Sequence, residues 1–507
     1  MQNKLTSTCQ YESLLFPDKT CLHPPLKGDR DNFCIFHSRN DKKDKKDFWK
    51  GIQAKLEAKD FDFTAYYFPP GLKADFRGKK FKDARFVEVI FKGYVNFIEA
   101  EFSGKSTDFG LAKFSGESTD FRLAEFSGES TVFIGVEFSG KSTDFRWAEF
   151  SGKSTDLSWA EFSGKSTVFA GAKFSGNTNF GNAEFSGKST NFRLAEFLGE
   201  STVFSGAKFS GENTDFSWAE FSGEGTKFNS ADFSGCGTVH FVDTVFKGEC
   251  GFLVTNFPLR LDQFVIFRGT RDPIDLSKTV FLYCNNYDRV LFRNCRFNEE
   301  PYKLFGWEFP WWKKRKIVLR DELYVGEMLE LTRQKGEEPS PGESRPNPEA
   351  KSERVKVEFS HVESLYRQFK KNLEAEKDWE LAGEFHYGEM ECKRKGLESG
   401  IRQNLGLLAW YKYFSGYGER PFRASCWIVF LLLAFAGIYW FLDTLPRQGF
   451  GYYLWELSVK TAFLQRIGET GNEPIGLLGK FFYLLQSVLC PTLIALFILA
   501  LRRRVRR

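Results

Sequence analysis

Two stretches of this 507-residue chain carry residue types at spacings that fit known chemistry. Residues 135–142, GVEFSGKS, match the phosphate-cradling pattern GxxxxGK[ST] letter for letter. Such a loop works because a strand delivers a Gly-rich turn to a helix N-terminus, whose free N–H groups face phosphate while Lys and Ser/Thr reach phosphate and Mg²⁺. Here GKST recurs at Gly104, Gly152, Gly164 and Gly187, and GEST replaces it at Gly116, Gly128 and Gly199. A phosphate site does not accept Glu where its Lys must sit, because the sign of that charge is its purpose. The segment after Gly140 has no helical period and returns to the same phrase, so the motif reads as part of a structural repeat and no nucleotide-binding residue is assigned. No convergent nucleophile, acid–base pair or open metal position appears elsewhere, and the chain is not expected to be an enzyme.

The second stretch holds Cys9, Cys21, Cys34 and His37, with His23 nearby as an alternative ligand. Zn²⁺ takes four thiolate or imidazole ligands in a tetrahedron, and the C-x2-H spacing of Cys34 and His37 is ordinary for it. The pattern predicts a closed, structural zinc knuckle over residues 1–46; the alternative is free thiols in an irregular cap. Cys236, Cys250, Cys284, Cys295, Cys392, Cys426 and Cys490 fall singly in apolar surroundings and read as packing residues. No apolar leader is expected at the N-terminus, which argues against a disulfide scaffold.

The elements that must carry these residues follow from the 58 phenylalanines. Phe81, Phe86 and Phe91 fall five apart, and after Phe97 the spacing becomes five and seven through Phe102, Phe109, Phe114, Phe121, Phe126, Phe133, Phe138, Phe145 and Phe150. Leu157 substitutes once, and the pattern runs on to Phe257. Two residues before most of these sits Ala (Ala112, Ala124, Ala148) or Thr (Thr107, Thr119, Thr143). Two side chains per unit therefore point inward with period two, separated by Ser-Gly turn chemistry. No helix satisfies this spacing. A coiled prism does, with Phe102, Phe114, Phe126, Phe138 and Phe150 in its core, each worth about 1.5–3 kcal/mol when buried. At a strand spacing of ~4.8 Å it should be roughly 35–45 Å long.

AEFSG at 100–104 is a small, polar, Phe, polar, polar unit, and over about residues 60–300 the chain resembles the pentapeptide-repeat family. That resemblance implies a right-handed quadrilateral parallel β-helix, here over 61–312. The departure is the extra pair in SGKSTDF, expected to bulge at corners with Lys or Glu outward. Residues 47–60, with Phe48, Ile52 and Leu56 on one helical face, are expected to cap the first coil, and the aromatic run to Trp312 to plug the last. Some members of the family mimic DNA through an acidic face, which this chain lacks. Its net charge is +5 with both signs interleaved, so no nucleic-acid partner is expected.

Residues 335–354 read as a disordered linker. A helical hairpin over 360–400 should start at a Ser360/Glu363 capping box, bury Val362, Leu365, Tyr366, Phe369 and Leu373, and return with Trp379, Ala382, Phe385 and Met390. It resembles a single tetratricopeptide-type hairpin. His361 and His386 have surface or packing roles in this reading. After a juxtamembrane segment, 401–423, the uncharged runs 424–442 and 481–501 are each long enough to cross a ~30 Å hydrocarbon layer. Arg420 and Arg423 precede the first, and the basic tail 502–507 follows the second. By the positive-inside rule both termini and the β-helix should be cytoplasmic, at the plasma (inner) membrane. Pro491 is expected to kink the second span.

Between the spans, 452–464 is too short to cross and reads as a re-entrant or interfacial helix with a Glu456/Lys460 pair. Span, short helix, span resembles the two-span pore module of potassium-type channels. Gly416, Tyr417 and Gly418 carry the filter letters but precede the first span, so potassium selectivity has no support. Glu456, Glu469 and Glu473 are candidates for a cation-favouring pore or mouth; the alternative is a solvated loop. The complete layout resembles bacterial pentapeptide-repeat membrane proteins. It implies a homo-oligomeric, channel-like protein whose cytoplasmic β-helix senses a small-molecule trigger or protein partner. The alternative is a membrane-tethered scaffold that binds a protein partner without conductance.

Overall fold

The computed structural model describes residues 8–15, 20–260, 262–300, 303–304, 307–308, 315–335, 358–397, 400–442, 449–463 and 477–505. The linker residues 336–354, most of the aromatic run after Glu300, and the tail residues 506–507 lie outside them. The chain divides into two compact units. One holds the described residues up to Asn298 with Leu319–Tyr324, and the other holds Glu299–Val318 and the described residues from Val325 onward.

The first unit is a parallel β-solenoid of about ten turns. Its four walls are parallel sheets of seven, eight, eight and ten strands, each strand only two to five residues long. At about 4.8 Å per step the longest wall extends roughly 43 Å. Phe102 pairs in register with Phe126 and Phe126 with Phe150 on one wall, and Phe114 with Phe138 and Phe138 with Phe162 on another. Every aromatic column is buried. Rings stack along a column at 4.7 Å for Phe102 on Phe126 and 4.9 Å for Phe114 on Phe138, while columns meet edge to face, as in Phe109 against Phe121 at 5.7 Å and 89°. The small inward positions behave alike: Ala112, Ala124 and Ala148 are fully buried, and so are Thr107, Thr119 and Thr143.

Each repeat's glycine has a separate reason. A Cβ on Gly140 would collide with the Gly116 carbonyl oxygen, one on Gly164 with that of Gly140, and one on Gly187 with that of Gly164. The turns therefore approach too closely for any side chain. The neighbouring Lys and Glu point outward and pair between turns: Lys141 Nζ lies 3.0 Å from Glu117 and Lys188 3.0 Å from Glu212. The corners opposite these turns hold residues with φ near +57°, among them Leu111, Leu123, Trp147, Trp159 and Leu194.

Both ends of the stack are covered. A helix Lys45–Glu57 starts at Asp44, whose carboxylate accepts the Lys46 and Asp47 N–H groups, and it buries Phe48 and Ile52. Phe48 packs edge-on to Phe68, and Trp49 lies 5.5 Å from Phe76. At the other end Asp321, in the first turn of the helix Arg320–Lys335, accepts the Phe281 N–H at 2.7 Å.

In the second unit, helices Phe359–Ala375 and Trp379–Lys395 form an antiparallel hairpin that buries Val362, Leu365, Tyr366, Phe369 and Leu373 against Ala382 and Phe385. Its first helix does not use the expected capping box. It begins one residue earlier, after Glu358, which makes no side-chain cap bond; the Ser360 hydroxyl donates to Glu358 instead. Short helices Gly400–Leu405 and Leu407–Ser415 lead to two helices long and apolar enough to cross a membrane, Pro421–Leu442 and Leu477–Val505. Pro491 sits inside the second, which continues past it.

Candidate functional site

The first coil of the solenoid supports the Cys/His cluster. The ligand atoms of Cys9, Cys21, Cys34 and His37 all lie within 4.8 Å of one another, a group able to hold a metal ion. Cys21 Sγ is 3.7 Å from Cys34 Sγ, Cys34 Sγ 3.3 Å from His37 Nδ1, and Cys9 Sγ 3.5 Å from the same nitrogen. The two sulfurs are far beyond bonding distance for a disulfide. His37 Nε2 lies 3.2 Å from the Thr64 carbonyl oxygen; a proton there leaves the Nδ1 lone pair facing the sulfurs. The Cys34 N–H donates to Cys9 Sγ at 3.1 Å. Hydrogen bonding from Cys34 holds the Cys21 thiol down at about 3, and the same bond pushes Cys34 up. His23 contributes its backbone oxygen, which accepts the Cys9 N–H, while its ring packs on Phe36. Buried Lys43 donates to the carbonyls of Ile35 and Ser38, closing the loop from behind.

The GVEFSGKS stretch lies wholly within the wall pattern. Glu137–Phe138 is a strand, Ser142–Asp144 is the next, and no helix follows Gly140. Its backbone is spent on inter-turn bonds, with the Gly140 and Lys141 N–H groups donating to Phe114 and Glu117.

Between the two apolar helices, Phe450–Tyr452, a π-helical stretch Tyr453–Val459 and Lys460–Ala462 form one short segment that packs on both. A buried polar chain pins it. The Tyr439 hydroxyl donates to Gln486 Oε1 at 2.7 Å, Gln486 Nε2 donates to the Ser458 carbonyl and hydroxyl oxygens at 2.9 and 2.8 Å, and the Ser458 hydroxyl donates to the Leu432 carbonyl at 2.7 Å. Polar side chains inside apolar helices are costly unless paired, so this chain of bonds fixes one arrangement of the three elements. Glu456 lies on the π-helical stretch; Glu469 and Glu473 lie outside the described residues.

Gly416-Tyr417-Gly418 has a role that its letters do not suggest. Gly416 and Gly418 adopt φ of 56° and 79°, turning the chain between the helix ending at Ser415 and the apolar helix starting at Pro421. Tyr417, fully buried, donates its hydroxyl to Glu391 at 2.9 Å. Glu391 also accepts Lys412 Nζ at 2.9 Å and pairs with Arg394. Burial pushes this carboxyl up, but Lys412 and Arg394 outweigh it and hold it well below the usual carboxylate range. Beside it Arg420 pairs with Glu384 at 2.7 Å. The returning helix of the hairpin is thus clamped by buried charges to the start of the helix Pro421–Leu442 and the turn before it. Apolar periodicity misses this, because the glutamates occupy positions on the buried face; the signal was Glu384 and Glu391 seven apart on one helix face, followed by Lys412 and Arg420.

Scans of the chain against models of known protein families, and searches among curated proteins and solved structures, match nothing.

Proposed function

We propose that the chain is a homo-oligomeric, channel-like membrane protein of the pentapeptide-repeat type, with its solenoid as a cytoplasmic sensing domain at the bacterial inner membrane. The observation that carries this reading is the short segment held between the two apolar helices by Tyr439, Ser458 and Gln486. A pair of helices that only anchors needs no third element fixed by buried hydrogen bonds, whereas a pore module needs a preorganised one. Most of the surface of the two apolar helices is left uncovered, for lipid or further copies. The basic residues Arg502–Arg504 favour the cytoplasmic side. No residue is given a catalytic role. The test is the native mass of the full chain in mild detergent, followed by conductance in a planar bilayer. A closed ring of several chains that conducts is expected. A monomer without conductance overturns the reading and leaves the tethered scaffold, whose support is the set of exposed Leu and Trp side chains on the solenoid corners.

The metal held by Cys9, Cys21, Cys34 and His37 is, in this proposal, a structural zinc ion. A tetrahedron with Zn–S near 2.3 Å and Zn–N near 2.0 Å has edges of about 3.8 Å between sulfurs and about 3.5 Å between sulfur and nitrogen. The distances of 3.7, 3.5 and 3.3 Å fit those edges. Four protein ligands leave no open position, so the ion would supply folding energy and not catalysis. About one zinc per chain is expected by elemental analysis, with loss of that zinc and a lower unfolding midpoint in Cys34→Ser. A chain that purifies without zinc and unfolds identically with and without chelator sinks the assignment.

A further inference from the structure

The segment that follows Cys9 is fastened to the solenoid by one carboxylate. Glu88 accepts four hydrogen bonds from it: the Tyr11 hydroxyl at 2.7 Å and the Leu14 N–H at 3.2 Å on Oε2, the Ser13 hydroxyl at 3.0 Å and the Leu15 N–H at 2.9 Å on Oε1. Burial pushes this carboxyl up, but the bonds from Tyr11, Leu15, Leu14 and Ser13 outweigh it and hold it below the usual carboxylate range. Apolar burial does not hold the segment there, since Leu14 and Leu15 are 84 and 50 % exposed. The donors have one shared acceptor, and it lies more than seventy residues away in the chain.

The same segment touches the Cys/His cluster. Tyr11 follows Cys9 by two residues, and its ring lies flat on the His37 imidazole, with centroids 4.5 Å apart and planes 8° from parallel. Phe33, the neighbour of Cys34, meets the Tyr11 ring edge-on at 5.7 Å. Tyr66 meets the imidazole edge-on at 5.2 Å, and Nε2 faces the Thr64 carbonyl oxygen at 3.2 Å. The ring of His37 is therefore held on its face, on its edge and at its far nitrogen. Thr64 and Tyr66 flank Ala65, whose N–H donates to the Val87 carbonyl, so Ala65 and Glu88 occupy the same corner on successive turns. Two adjacent turns of the solenoid thus supply every grip on this ligand. Groups behind a metal ligand set the direction in which it offers its lone pair, and through it the affinity of the site.

Glu99 provides the contrast. It is the same residue type in the same left-handed backbone, φ 58° against 57°, on the other corner of that coil. Its carboxylate pairs at the surface with Arg77 at 3.0 Å.

We propose that Glu88 is a positioning residue of the metal site: through the Tyr11 hydroxyl and residues 13–15 it fixes Cys9 and the His37 ring where a zinc ion needs them. The role rests on the zinc assignment made above. It makes the metal loop part of the first turns of the solenoid and not an appended knuckle.

The test is zinc affinity of the full-length protein in mild detergent, stripped with chelator and titrated with zinc against a chromophoric competitor. Glu88→Gln turns an amide N–H₂ toward two of the four donors and is expected to weaken zinc about tenfold or more. Tyr11→Phe keeps the stacked ring, loses the bond to Glu88, and should weaken zinc by less. Because the two act along one path, the double variant should bind little worse than Glu88→Gln alone. Cobalt(II) in place of zinc reports ligand geometry through its visible absorption, which a merely structural role leaves unmoved; the bands should shift in Glu88→Gln and Tyr11→Phe and match the parent in Glu99→Gln. A Glu88→Gln chain that binds zinc as tightly as the parent with the parent's cobalt spectrum overturns the role, and so does a Glu99→Gln chain that loses as much. If Glu88→Gln fails to fold, Tyr11→Phe decides on the same two readouts. A parent that binds no zinc overturns the metal assignment and this role with it, which separates that failure from a parent that binds zinc without regard to Glu88.

Discussion

Phe150 stands between Phe126 and Phe174 with ring centroids 4.6 Å from each, and almost none of it is exposed. A deleted ring there leaves a cavity between its two stacked neighbours and the Phe145 ring, which lies 6.2 Å away and is tilted at 44°. Phe150→Ala should cost about 3–5 kcal/mol. Lys141 belongs to the same repeat but to its outer surface: its side chain is 69 % exposed and that of its partner Glu117 79 %. An exposed pair of this kind is worth about 0–1 kcal/mol, so Lys141→Glu should be nearly neutral. Denaturant midpoints of the two variants decide the matter, and comparable losses would contradict the inward placement of the Phe columns. The phosphate-site motif is disposed of on the same physical grounds. Its lysine serves a surface ladder in which Glu serves equally well, and its glycine is required by the Gly116 carbonyl beneath it.

Among the elements, the terminal cap is the one whose behaviour should depend on pH. Asp321 begins the helix Arg320–Lys335, fully buried; one carboxylate oxygen takes the Phe281 N–H and the other has no hydrogen-bond partner among the described residues. Burial pushes its pKa up to about 7, with Arg320 pulling slightly the other way and Cys284 close by. A carboxyl whose folded pKa lies above its unfolded value of about 3.9 gives full stability below that unfolded value and loses it progressively as pH rises toward 7. Asp321→Asn keeps the acceptor for Phe281 and removes the charge. The gap between the midpoints of variant and parent should therefore widen from about pH 4 to about pH 8 in favour of the variant, and a gap that does not change with pH rules the cap out as the source. This cap was not legible in the sequence, since an acid at a helix start ordinarily faces water. The walls were legible, because one Phe repeated in register at five and seven residues leaves few alternatives. So was the Cys/His cluster, whose C-x2-H spacing places two ligands before any fold is known. The corners were not: Leu and Trp at positive φ contradict local propensity and become visible only once neighbouring turns are stacked.

At the scale of the whole molecule, the solenoid and the helical unit have separate cores of different character. The first is closed by its own aromatic columns and needs no lipid. The second leaves most of its two long apolar helices uncovered and depends on its surroundings for their solvation. Two such units should unfold in two transitions instead of one. Phe150→Ala should move only the first, and Gln486→Leu, which strips Ser458 and Tyr439 of a shared partner, only the second, by about 1 kcal/mol. Exchanging detergent for a bilayer should raise the second and leave the first in place. The separation also explains why the two halves differ in how far sequence reaches them. A repeat states its packing many times over, whereas the clamp of Glu391, Lys412, Arg394 and Tyr417 is stated once, by residues whose buried charges run against their composition. Differential scanning calorimetry of the full chain and both variants checks the division. A single transition displaced by either substitution would mean that the solenoid and the helical unit fold as one.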